Sequence, residues 1–180
     1  MNLTPEQENI MKNRIREIPD FPKKGILFRD ITTLLQDGPL FSQVNDMLAE
    51  YCIKKNSEAI VAIESRGFIF GGAIADRLKI PFLPIRKKGK LPAATVKASY
   101  FLEYGQESVE MHMDVFSKKE GVVIIDDLLA TGGTAAAAAE LVEKCGGRVN
   151  GFAFLIELAL LNGRNKLQQY DVFSLLQYKE

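Results

Sequence analysis

Residues 122–140 read V-V-I-I-D-D-L-L-A-T-G-G-T-A-A-A-A-A-E. Val122, Val123, Ile124 and Ile125 follow Gly121 as a continuous β-branched apolar run, the mark of a strand buried on both faces of a parallel sheet. Ala135 to Ala139, with Glu140, Leu141 and Val142, predict a helix, because alanine is the strongest helix former and Cys145-Gly146-Gly147 supplies a stop. Thr131 or Gly132 stands where an N-cap belongs. Gly132 and Gly133 let backbone N–H groups approach a ligand with no Cβ in the way, and amides exposed at a helix start bind anions. Asp126 and Asp127 precede this cradle and are expected just beyond the C-terminal end of the strand, where open α/β sheets bind ligands. Two carboxylates beside a phosphate repel it unless something lies between them. A sugar carrying that phosphate would serve, its hydroxyls donating to both acids.

Two better-known phosphate loops are excluded by inspection. No G-x-x-x-x-G-K occurs, and no two glycines stand two apart, so G-x-G-x-x-G is absent as well. An acid pair after a strand is commonly a polar loop, and Gly-Gly-Thr alone is a common turn. Strand, acids, glycine turn and helix together in one unit favour function.

The unit repeats outward along the chain. Ala59 to Ile63 reads as a buried strand, Phe68 to Lys79 as a helix and Ile80 to Ile85 as a strand. Val149 to Leu158 reads as another strand, residues 160–167 as a short helix and Val172 to Leu176 as a closing strand. Strand alternating with helix is the pattern of a parallel α/β sheet. Upstream, Thr4-Pro5-Glu6-Gln7 forms a capping box with proline at the first helical position, predicting a helix from residue 5 to about 17. Leu40, Phe41, Val44, Met47, Leu48 and Tyr51 share one face of a second helix after Gly38-Pro39. Residues 87–105 break the alternation. Lys87, Lys88, Gly89, Lys90 and Pro92 are basic and breaker-rich, and Val96 to Tyr104 with Ser108 to Asp114 predict an antiparallel pair around Gly105. Val109, Met111 and Met113 alternate there with Ser108, Glu110 and His112. That places the only histidine on a polar surface face and removes Ser-His-Asp catalysis from consideration.

Composition narrows the function classes. A chain of 180 residues suits one domain with a substantial core. The 23 basic and 23 acidic residues balance, so no general electrostatic drive toward nucleic acid or an anionic membrane exists. Small-molecule partners are expected instead. Cys52 and Cys145 fall on predicted helices without C-x-x-C spacing, which argues against a disulfide framework or a zinc site and for a reducing compartment. The start, M-N-L-T-P-E-Q-E-N-I-M-K-N, has no cationic-then-apolar signal, and no apolar stretch approaches the roughly 18 residues of a membrane span. A cytoplasmic location is expected.

Asp126-Asp127-Leu128-Leu129-Ala130-Thr131-Gly132-Gly133-Thr134 resembles the phosphoribosyl pyrophosphate (PRPP) loop of the type I phosphoribosyltransferase family, and its Leu-Leu-Ala-Thr-Gly-Gly-Thr form is similar to the adenine-using branch. The resemblance extends to Pro19-Asp20-Phe21-Pro22, Gly25-Ile26-Leu27-Phe28-Arg29-Asp30, Glu64-Ser65-Arg66-Gly67-Phe68, Arg86-Lys87-Lys88-Gly89-Lys90-Leu91-Pro92, Leu102-Glu103-Tyr104-Gly105 and Ser174-Leu175-Leu176-Gln177-Tyr178. It implies an α/β fold with a parallel sheet flanked by helices, one domain over residues 1–180, an N-terminal base-binding hood over about 1–35 and a mobile antiparallel loop over about 87–113. It also implies a homodimer and, as ligands, adenine, PRPP, AMP and pyrophosphate.

In that family, adenine N9 joins the ribosyl C1 of PRPP and pyrophosphate leaves, through an oxocarbenium-like sugar. The resemblance assigns Asp126, Asp127, Ala130, Thr131, Gly132, Gly133 and Thr134 to PRPP and AMP. It assigns Glu64, Ser65, Arg66, Arg86, Lys87 and Lys90 to pyrophosphate, with Mg²⁺ held mainly by PRPP and water and by no side chain directly. Many members carry Asp at the Glu64 position. Leu27, Phe28 and Arg29 take the base, Phe28 by stacking and the backbone of its neighbours by donating to N1 and accepting from the 6-amino group. Hypoxanthine-guanine members carry an Asp where Ala130 stands, so proton handling falls to Glu103, with Tyr104 capping the site and Arg66 completing the catalytic set. Two other readings stay open: a phosphoribosyltransferase for another base, and a PRPP-sensing regulator without catalysis. A DNA-binding regulator would need a basic helix-turn-helix, for which neither room nor charge exists.

Overall fold

The structure is a computed structural model that describes residues 3–102 and 105–179, and the chain divides into two compact units, Met1–Met47 and Leu48–Glu180. In the first unit, helix α1 (Pro5–Asn13) begins with the expected capping box: Thr4 accepts from the Gln7 N–H, and the Gln7 side chain accepts from the Thr4 N–H. It stops at Asn13, short of the expected residue 17, because Arg16–Pro19 is strand β1, paired antiparallel with β2 (Leu27–Asp30). Charge holds this ribbon. Arg16 Nε donates to Asp30 Oδ2 at 3.1 Å, and Arg29 pairs with Glu17 across the strands. The Thr32 N–H, Arg16 and the Thr32 hydroxyl hold the buried Asp30 carboxyl down to about 2. After a short turn of helix α2 (Thr32–Leu35), helix α3 (Gly38–Lys54) runs through the division between the units. Leu40, Val44, Leu48 and Tyr51 are buried on it as the periodicity requires, while Phe41 and Met47 are half-buried.

The second unit is built on seven strands. Five run parallel in the order β4 (Phe82–Lys87), β3 (Ala59–Ile63), β7 (Gly121–Leu129), β8 (Arg148–Leu158) and β9 (Val172–Tyr178). The hairpin of β5 (Thr95–Leu102) and β6 (Gly105–His112) extends the β4 edge antiparallel. Helices α4 (Arg66–Leu78) and α5 (Gly133–Lys144) pack on the sheet. Because side chains alternate along a strand, Val61, Val122, Ile124, Phe152 and Phe154 join the cluster that includes α5. Gly71 of α4 meets Ala62: a Cβ there would lie 2.5 Å from the Ala62 Cβ. The alanine run does the same for α5. Ala135, Ala137, Ala138 and Ala139 are all buried, and side chains that short let the helix axis close on the sheet.

Several boundaries differ from the sequence reading. β4 starts at Phe82 and reaches Lys87, and β9 reaches Tyr178. Residues 160–167 hold two 3₁₀ turns, Ala159–Leu161 and Gly163–Lys166, where one short helix was expected. Asn162 between them adopts a left-handed φ of 52°, which interrupts helical hydrogen bonding. β7 continues through Asp126 and Asp127, since Leu128 and Leu129 still pair with Ile156 and Glu157 of β8. The acids therefore sit inside the last turnings of the strand, not beyond it. The expected polar face of β6 is not a solvent face either. Glu110 is buried, and His112 is half-buried with Nε2 closed off from solvent, whereas Met113 is exposed.

Candidate active site

The C-terminal ends of β3 and β7 each lead into a helix start, and two adjoining hollows open there. One, about 250 Å³, lies over Leu128–Ala135. The other, about 310 Å³, lies over Ile63–Ser65 and reaches Lys87, Tyr100 and Glu107. Arg66, Asp126, Asp127 and Thr134 line both.

Gly132 is the N-cap of α5, with φ 75° and ψ 1°, and no side chain caps the helix. A left-handed N-cap without a competing side chain leaves the first amides of α5 to a ligand, and the helix dipole favours an anion. Of the two candidate caps, Gly132 is the one used. Thr131 stays exposed on the loop. Across the site, Ser65 precedes α4 with φ 80° and ψ −114°. A non-glycine residue held there costs about 1–3 kcal/mol and persists where surrounding structure over-determines it, commonly at a functional site. A second helix N-terminus thus faces the same acids.

Asp127 is buried and paired with Arg66 Nε at 2.9 Å. Asp126 Oδ1 accepts the Asp127 N–H at 2.9 Å, and a Cβ on Gly67 would come within 2.8 Å of that oxygen, so α4 approaches the acid closely only because residue 67 is glycine. Burial, and next the charge of Asp127, push the Asp126 carboxyl well above the ordinary carboxylate range. Burial raises Asp127 too, against the opposing pull of Arg66. An acid with a raised value binds its proton more tightly in the folded chain. The stability this gives is present below the unfolded value of 3.8 and is lost as pH rises through the folded one. Asp126→Asn keeps an acceptor for the Asp127 N–H and removes the charge. The unliganded variant is therefore expected to melt above wild type at pH 8, by ~2–4 °C for each kcal/mol relieved. Melting curves from pH 5 to 8 check this. A variant that melts below wild type at pH 8 would show that the ionised pair is not a burden on the fold.

Glu64 faces the basic turn after β4. Its carboxylate accepts the Lys87 N–H at 2.7 Å, bonds Lys90 Nζ and lies 3.6 Å from Arg86. Burial pushes this carboxyl up, but the bonds from Lys90 and Lys87 outweigh burial and hold it below the ordinary range. Buried Glu110 accepts the Gly89 N–H at 3.0 Å, and Arg86 donates to the Lys90 carbonyl. Two carboxylates thus shape the turn that presents Arg86, Lys87 and Lys90.

Tyr100 and Glu107 were not singled out by sequence. They pair across the β5–β6 hairpin, the Tyr100 hydroxyl donating to Glu107 at 3.1 Å, and Tyr100 also hydrogen-bonds Thr134 at the start of α5. The only available signal was strand alternation, which points Tyr100 the same way as buried Ala98. Glu103 and Tyr104 lie outside the described residues. Leu27, Phe28 and Arg29 are consecutive on β2 in the first unit, with Leu27 exposed, Phe28 half-buried and its ring edge-on to Phe21 at 5.1 Å. Opposite Leu27 stands Pro19, which has no N–H to donate.

A parallel sheet with two acids between two helix starts at its C-terminal edge matches a known design. The model of the phosphoribosyl transferase domain matches residues 31–177. Adenine phosphoribosyltransferase of Koribacter versatilis is 53% identical over 93% of this chain and 92% of its own length. The crystal structure of the Thermoanaerobacter pseudethanolicus adenine phosphoribosyltransferase superposes with a TM-score of 0.92 at 50% identity, covering 95% of this chain and 99% of that one. The Saccharomyces cerevisiae enzyme, solved with adenine and an imino-altritol bisphosphate, gives 0.89 at 38% identity over 96% and 100%. The chain belongs to the phosphoribosyltransferase family, in the group of the adenine phosphoribosyltransferases.

Proposed function

We propose that this chain is a Mg²⁺-dependent adenine phosphoribosyltransferase, joining adenine N9 to C1 of PRPP with release of pyrophosphate to give AMP. One arrangement carries the reading: Asp126 and Asp127 stand where two hollows meet, one over the start of α5 and the other over the start of α4. A ribose over the acids then has an anion binder on either side, as a sugar bearing phosphate at one end and pyrophosphate at the other requires. Ala130, Thr131, Gly132, Gly133 and Thr134 take the phosphate that stays with the sugar. Ser65, Arg66, Arg86, Lys87 and Lys90 offset the charge that grows on the departing pyrophosphate, with Glu64 holding the lysine turn in place. The acids accept from ribose hydroxyls and face the cationic sugar as the bond to pyrophosphate breaks.

Mg²⁺ suits hard carboxylate and phosphate oxygens. The ion fits here as one carried by PRPP and water beside Asp126 and Asp127, whose carboxylates face the hollows where the ligand would lie. When bound, it neutralises charge on the pyrophosphate group. The names of the relatives and the adenine in the yeast complex support the base. Leu27, Phe28 and Arg29 form its pocket, and Glu103 moves the purine proton under Tyr104. Cytoplasmic location and a homodimer complete the proposal by family likeness. The test is product analysis with adenine, PRPP and Mg²⁺: AMP and pyrophosphate in equal amounts, suppressed by excess chelator. AMP formation that chelation leaves untouched would remove the metal from the account.

A further inference from the structure

The phosphate loop leans on a piece of chain that no motif marks. Gly163 is buried, and its backbone lies directly against the loop: a Cβ on Gly163 would meet the Ala130 carbonyl oxygen at 2.3 Å and the Gly132 nitrogen at 3.0 Å. Reciprocally, a Cβ on Gly132 would meet the Gly163 carbonyl oxygen at 2.3 Å. Two glycines face each other with no side chain between, so any movement of one backbone is passed to the other.

What fixes Gly163 is the next residue. Arg164 Nε and Nη2 each donate to one oxygen of Glu157 at 2.7 Å, and Nη1 donates to the Val172 carbonyl at 2.7 Å. Glu157 is buried on β8, opposite Leu129 of β7 and Gln177 of β9, and Gln177 donates to it at 3.2 Å. The planar guanidinium fork therefore ties the Gly163–Lys166 turn to β8 and β9 at once. Leu167, just after the turn, is inserted in the core. A lysine supplies a point charge and no fork, so it could not fix the turn in the same orientation.

We propose that Glu157 and Arg164 are positioning residues for the phosphate loop: their bidentate pair holds the Gly163 backbone against Ala130 and Gly132 and so sets the affinity for PRPP. The proposal rests on the reading of Ala130–Thr134 as the PRPP cradle. It separates the pair from a merely structural salt bridge, because loosening the turn shifts a ligand-binding backbone while the sheet stays intact.

The experiment is calorimetric titration of wild type, Arg164→Lys, Glu157→Gln and Gly163→Ala with PRPP and Mg²⁺, alongside melting curves and kcat at saturating PRPP. Misaligning one loop N–H that donates to the phosphate is expected to weaken PRPP binding about 10- to 100-fold in each variant, with kcat at saturation changed far less. Gly163→Ala keeps the ion pair and alters only the contact with the loop, so it reports even if an Arg164 or Glu157 variant folds poorly. The double variant Arg164→Lys/Glu157→Gln should bind PRPP no worse than the weaker single, since the two act as one unit. Wild-type PRPP affinity in Gly163→Ala, or in folded Arg164→Lys and Glu157→Gln, overturns the positioning role and leaves the PRPP reading standing. A wild-type chain that binds no PRPP overturns both.

Discussion

Hypoxanthine and guanine are expected to be used with a kcat/KM at least about 10⁴-fold below that of adenine when PRPP and Mg²⁺ are in excess. Adenine presents an acceptor at N1 and a donor at the 6-amino group, and a 6-oxopurine presents the reverse at both positions. Backbone groups of Leu27 and Arg29 that donate to one and accept from the other would face a like group in each place, leaving buried partners unmade at a cost of about 1–3 kcal/mol apiece. A second deficit adds to the first: position 130 is alanine, so no side-chain acid stands at that place in the loop to handle a 6-oxopurine's proton. Initial rates with the three bases, read as AMP, IMP and GMP, give the ratio. Hypoxanthine used within tenfold of adenine would remove the base assignment and leave the PRPP site intact.

Gly132→Ala is expected to raise the KM for PRPP about 100-fold with the fold retained. Position 132 has φ 75°, which costs an L-residue roughly 1–2 kcal/mol. The new Cβ would also stand 2.3 Å from the Gly163 carbonyl oxygen, a separation that cannot persist, so loop and turn must part at the start of α5. Gly146→Ala is the control. Its φ is 91°, but open space surrounds it at the other end of α5. It should therefore carry the strain and leave the KM for PRPP unchanged. Equal effects from the two substitutions would mean that backbone strain, not loop displacement, governs the result.

Elements whose burial is continuous were legible in the sequence, since a run such as Ala59–Ile63 or Val122–Ile125 declares itself by composition alone. The glycine turn was legible for the same reason: no other residue type suits a left-handed N-cap packed against a carbonyl. What escaped was whatever depends on a partner distant in sequence. Arg16 and Glu17 continue the helical reading and become strand because Leu27–Asp30 supplies a ladder and opposite charges. Asp126 and Asp127 read as loop, yet β8 keeps pairing past them. Tyr100 and Glu107 read as ordinary hairpin residues until the fold sets Tyr100 against Thr134. Gly163 and Arg164 read as part of a short helix over residues 160–167, because nothing local reveals that the backbone there is the floor of another loop.

Bond formation separates a transferase from a protein that merely senses PRPP. A single-turnover experiment addresses it directly, with protein in excess over PRPP labelled in the phosphate that stays with the sugar, plus Mg²⁺ and adenine, quenched over time and resolved by chromatography. All label is expected to move from PRPP to AMP in one phase, with pyrophosphate appearing at the same rate. Label that stays protein-bound as intact PRPP, with adenine present and no AMP formed, would contradict the transferase reading and identify the chain as a PRPP-binding regulator.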